Sequence, residues 1–121
     1  MKKIFITLED TLIDPSGVMR PGTGTFIEVL KSMGFQVYVW SDRGMVYAER
    51  VWEKHNLPAV HGFFVRGEVD RQGIDYVVDP DPSFMKRYNG SCIKEWNSLQ
   101  YDPSAEKQLK DVLEKIKVDI F

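Results

Sequence analysis

The sequence predicts an α/β domain of three layers, with a mainly parallel sheet of about five strands and helices on both faces. Three observations carry that prediction. Strand-like and helix-like runs alternate along the chain. The helix-like runs repeat their apolar residues at the helical period, whereas the strand-like runs are short, β-branched and aromatic. Finally, 121 residues make one domain's worth, taken as residues 1–121.

Lys3 to Thr7 (KIFIT) reads as a buried strand, ended by the polar Glu9-Asp10-Thr11. Asp14-Pro15-Ser16-Gly17 is a turn cluster. Phe26, Val29, Leu30 and Met33 fall on one face of a helix, with Gly34 as its stop. Gln36 to Trp40 (QVYVW) is the second strand, closed by Ser41-Asp42-Arg43-Gly44. The next helix sets Ala48, Val51, Trp52 and His55 on its apolar face, and Asn56-Leu57-Pro58 stops it. Val60 to Val65 is a third strand, weakened by Gly62, and Arg66 to Gly73 is a charged loop. Ile74 to Val78 is the fourth strand, Pro82 to Tyr88 a helical turn, and Ser91 to Glu95 a fifth strand. Asp102 caps the last helix, Pro103 opens it, and Leu109, Val112, Leu113 and Ile116 form its buried face. The alternation gives a Rossmann-like sheet, and such sheets bind ligands at the carboxyl ends of their strands, where strand order reverses.

Composition narrows the function. Hydrophobic residues at 43% and charged residues at 28% are ordinary for a globular chain and exclude intrinsic disorder. A net charge of −2 gives nucleic-acid binding no support. The one cysteine, Cys92, rules out an internal disulfide framework and a multi-cysteine zinc site. It reads as a small buried hydrophobe in the fifth strand. His55 and His61 are too few for a histidine-rich metal cage. No apolar run approaches the roughly 20 residues that span a bilayer. Glu9 and Asp10 also interrupt the short apolar stretch after Met1-Lys2-Lys3, against a signal peptide. A soluble, cytoplasmic protein is expected.

Three polar clusters stand at strand ends, which the predicted sheet would gather on one rim. After strand four come Asp79 and Asp81, two carboxylates that could hold a magnesium ion or simply shape a turn. After strand two comes Ser41, which could donate to a phosphate oxygen beside a helix N-terminus or cap that helix. After strand one come Thr7, Glu9, Asp10 and Thr11; Glu9 or Asp10 could act as acid or base, and a polar loop is the plainer reading. Arg66 and Arg71, with Lys86 and Arg87 behind them, could neutralise a phosphate or balance the carboxylates.

Taken in order, these motifs resemble the haloacid dehalogenase-like superfamily of phosphatases. Members open with a strand ending in Asp-x-Asp-Gly-Thr-Leu, and here Thr7-Leu8-Glu9-Asp10-Thr11-Leu12 stands in that register. Ser41 stands for the second motif, Arg66 or Arg71 for the third, and Asp79-Pro80-Asp81 for the acidic fourth. The short spacings leave no room for a cap domain, so the chain resembles a capless member. The resemblance implies a catalytic centre at Thr7 and Glu9, phosphate binding at Ser41 with Arg66 or Arg71, and magnesium at Asp79 and Asp81. It also implies damage. The family's nucleophile, an Asp that also ligates magnesium, is Thr7 here, and its acid/base Asp is Glu9. Two functions are therefore expected, beside the plainer reading of a small α/β interaction protein whose polar edge is only a set of turns. The first is a degraded, non-catalytic site that binds a protein partner or a phosphorylated ligand. The alternative is an active magnesium-dependent phosphohydrolase working through Glu9 or Asp10 and Asp79.

Overall fold

The computed structural model describes residues 2–68 and 73–121. Strands β1 (Lys3–Thr7), β2 (Gln36–Ser41), β3 (Gly62–Val65), β4 (Tyr76–Asp79) and β5 (Gly90–Cys92) form one sheet in the order β3-β2-β1-β4-β5. Every neighbouring pair is parallel. Helices α1 (Thr23–Ser32) and α2 (Met45–Lys54) connect β1 to β2 and β2 to β3, and α3 (Ala105–Ile120) follows β5. The chain then skips from β3 to β4 on the far side of β1, so strand order reverses between β1 and β4. An α/β sheet opens its ligand crevice at that point.

The helix ends follow from local chemistry. Gly34, at φ 92°, lets Gly34 N–H reach Lys31 O and Phe35 N–H reach Leu30 O, the paired closure that satisfies the last carbonyls of α1. Asn56, at φ 52°, closes α2 in the same way, with Asn56 N–H to Glu53 O and Leu57 N–H to Trp52 O. The start of α3 departs from expectation. Its N-cap is Ser104, and Asp102 instead accepts from the Ser104 N–H at 3.0 Å, shaping the turn before the helix.

Strand side chains alternate between faces. Ile4, Ile6, Val37, Val39, Tyr76 and Val78 share one core with Phe26, Ile27 and Leu30 of α1, Ala48, Val51 and Trp52 of α2, and Leu109, Val112 and Ile116 of α3. Phe5, Trp40 and Val77 point the other way, against Tyr38, Phe64, Ile74, Phe84, Met85 and Tyr88. Phe5 stacks on Tyr38 at 4.8 Å, and Trp40 meets Phe84 edge-on at 5.7 Å. The expected α-helical cover of this second face is reduced. Among the described residues it is a 3-10 helix over Pro82–Lys86 with flanking loop. Residues 80–89 join β4 to β5, and a parallel crossover that carries an α-helix needs about a dozen residues or more.

The fifth strand also corrects the reading of Cys92. Ser91 is the inward residue at 2% exposure, whereas the Cys92 thiol is exposed on the edge strand, 3.4 Å from Pro80 O. Among the described residues, no helix is long and apolar enough to cross a membrane.

Candidate functional site at the strand-order switch

Register brings the predicted clusters together. Ile6 lies opposite Val78, and Thr7 lies opposite Trp40. Thr7 and Asp79 are thus neighbours at the carboxyl ends of adjacent strands. By alternation both project onto the aromatic face with Phe5 and Val77. Thr7 is 1% exposed and Asp79 is fully buried. Two such polar groups in a dry location must be satisfied by the protein itself.

They are. The Thr7 hydroxyl donates to Asp79 Oδ2 and accepts from Trp40 Nε1, the latter at 2.6 Å. Arg66 closes on the same carboxylate from the end of β3. Its Nε donates to Oδ2 and its Nη2 to Oδ1, each at 2.9 Å. This two-pronged pairing is the geometry in which guanidinium and carboxylate bind most strongly. The Asp81 N–H donates to Oδ1 at 2.7 Å. Arg66 itself lies over the Phe84 ring, 4.4 Å from its centroid. Its hydrogen bond to Asp79 raises the guanidinium pKa above the usual value. Of the two arginines singled out in the sequence, Arg66 thus meets Asp79, whereas Arg71 lies outside the described residues.

Ser41 and Glu9 form a second pair beside the first. The fully buried Ser41 donates to Glu9 Oε2 at 2.6 Å, and the Asp42 N–H donates to Glu9 Oε1 at 3.1 Å. Ser41 Oγ accepts from the Arg43 N–H at 3.0 Å, so it shapes the turn into α2. It does not cap that helix, whose N-cap is Gly44.

Asp10 is the strained residue of the site. It holds φ 63°, a left-handed conformation that a side chain adopts at a cost. Two bonds fix it there, Asp10 N–H to Ile13 O and Trp96 N–H to Asp10 O, both 2.7 Å. Burial raises its carboxyl pKa, and the charges of Glu95, Asp42 and Asp14 push it the same way. Asp81 is shifted downward, chiefly because it accepts the Ser83 N–H.

A cleft of about 330 Å³ opens over these groups. Thr7 and Arg66 reach it from within, and Glu9, Asp10, Asp42, Asp81 and Glu95 line it with carboxylates. Lys86 and Arg87, at the 3-10 helix, are exposed and do not line it. Sequence reasoning missed Trp40, Asp42 and Glu95. Strand parity was signal enough for Trp40, and adjacency to Ser41 for Asp42. Nothing local marks Glu95, which arrives from beyond β5.

The magnesium expectation can be tested on the donors. A carboxylate offers about four acceptor positions, and those of Asp79 receive Thr7, Arg66 twice, and Asp81 N–H. The residue beside it, Thr7, brings no charge. Among the described residues, no three acidic, histidine or cysteine side chains are grouped to hold a metal ion. As arranged, the donors do not fit the ion. Compared with known proteins, the chain matches no family model, no curated protein and no solved structure.

Proposed function

We propose that this chain is a phosphatase-like domain that performs no phosphoryl transfer and presents its switch-point cleft to a basic group of a protein partner. The observation that carries this reading is the Thr7–Asp79 hydrogen bond. The position that would hold a nucleophilic carboxylate holds a hydroxyl that donates a hydrogen bond to the neighbouring carboxylate. Losing a catalytic nucleophile commonly costs several orders of magnitude in rate. Cleft charge supports a basic ligand over a phosphorylated one. Among the described residues, five carboxylates line the opening, and the one arginine that does so is engaged by Asp79. A phosphate entering there meets like charge, whereas a lysine or arginine side chain is attracted.

The deciding assay is hydrolysis of an aryl phosphate with magnesium, run on the wild type and on Thr7→Asp and Asp79→Asn. The expected wild-type rate equals the buffer rate. Wild-type turnover that disappears in Asp79→Asn overturns the reading. One observation favours the second reading, an active hydrolase: Asp10 faces the cleft with its pKa raised by burial and neighbouring charge, as a general acid requires. On that reading, wild-type turnover is abolished by Asp10→Asn.

A further inference from the structure

The saturation of Asp79 has a counterpart in how Arg66 is surrounded. Its Nη1 lies 3.5 Å from Asp42 Oδ1, and its Nη2 lies 4.0 Å from Asp81 Oδ2 in addition to the bond to Asp79. Carboxylates from the loops after β2 and β4, and from the end of β4 itself, therefore converge on one guanidinium. The Phe84 ring covers its face. The side chain is 20% exposed, so this positive charge is largely withdrawn from water. Oxygen ligands gathered from separate strand ends are also what a hard divalent cation would need.

We propose that Arg66 is the resident cation of this site. Its guanidinium takes acceptor positions of Asp79 and lies within 4.0 Å of Asp42 and Asp81, and with Arg66 in place the cleft excludes a divalent ion. Two physical terms act together. The guanidinium uses acceptor positions of Asp79 that a metal would have to take. Its fixed charge also repels a second cation a few ångströms away in a partly dry site. Thr7 fits the same arrangement. A second buried acid at that position would share with Asp79 the one guanidinium that neutralises it, whereas a hydroxyl completes the Asp79 shell without adding charge. The proposal shares with the functional reading the placement of Thr7 and Asp79 and the pairing of Arg66 with Asp79, and the experiment below tells their failures apart.

The test is binding of manganese(II) alone to the full chain, read by water-proton relaxation. Wild type is expected to show no Asp79-dependent site tighter than about 1 mM. Arg66→Met keeps an apolar chain over Phe84 and removes the charge, and it is expected to bind at least about tenfold more tightly. The double variant Arg66→Met/Asp79→Asn is expected to lose that gain. Should Arg66→Met fail to fold alone, millimolar manganese is expected to restore its circular-dichroism spectrum and not to restore that of the double variant. Three results overturn the proposal: wild-type binding that Asp79→Asn removes, a folded Arg66→Met with no gain, or an unfolded Arg66→Met that the ion does not rescue. Aryl phosphate turnover by the wild type without added metal would defeat the functional reading and leave this one standing.

Discussion

Among the described residues, two arginines are withdrawn from water, and they live under opposite conditions. Arg66 forks onto a buried carboxylate, lies against an aromatic ring and has its pKa raised. Arg20 is more deeply buried, at 1% exposure, yet among the described residues no carboxylate hydrogen-bonds it. Its Nη2 bridges Lys94 O at 2.7 Å and Gln108 Oε1 at 2.9 Å, tying the β5–α3 connection to α3. Its Nε and Nη1 have no hydrogen-bond partner among the described residues. Burial lowers its pKa to about 10, with Asp102 pulling weakly the other way, so the charge persists at neutral pH. The contrast shows that burial does not decide what a buried charge does. The counter-charge does. Arg66 belongs to a site because Asp79 is there to define its geometry, while Arg20 is a strut that suffers its own desolvation.

The comparison can be broken by removing each charge in turn. Arg66→Met leaves Asp79 buried without its partner, and breaking such a pair costs about 3 kcal/mol. Urea denaturation should show that loss, and a variant within about 0.5 kcal/mol of wild type would mean that Arg66 is no structural partner of Asp79. Arg20→Met removes two hydrogen bonds but also a desolvated charge with orphaned donors. The two effects oppose, so its stability should stay within about 1 kcal/mol of wild type. A loss as large as that of Arg66→Met would erase the distinction drawn here.

The smallest effect sharpens the picture at the cleft rim. Asp10→Gly relieves the left-handed conformation and should stabilise the protein by about 1 kcal/mol. The sign of its pH dependence follows from the raised folded-state pKa. The unfolded carboxyl titrates near 3.8 and the folded one higher, so the folded state holds an extra proton between the two values. Wild-type stability therefore falls as pH rises through that window, and the advantage of Asp10→Gly should grow over the same range. Thermal unfolding of both proteins from pH 3.5 to 7 measures it, and a constant difference would show that strain alone acts at Asp10.

Much of this was legible in the chain itself. KIFIT, QVYVW and YVVD specify buried strands because β-branched and aromatic residues suit a sheet covered on both sides. The helical spacing of Phe26, Leu30 and their neighbours specifies the helices, and Gly34 and Asn56 specify where two of them stop. From these, the gathering of Thr7, Ser41 and Asp79 on one rim also follows. Other features were hidden. Cys92 was misread because the edge position of β5 depends on sheet order, and Asp102 because a carboxylate can serve a turn or a helix with the same local sequence.

Sequence alone thus determined the periodicity, the helix stops and the hydroxyl in place of a carboxylate at the end of the first strand, since each is a property of residues close together in the chain. Only the tertiary structure decided that Arg66 takes the acceptor positions of Asp79, and that Asp10, Asp42 and Glu95 share a cleft. Those facts depend on which strand ends meet and on how charge is balanced where water is excluded. A linear order of residues carries neither.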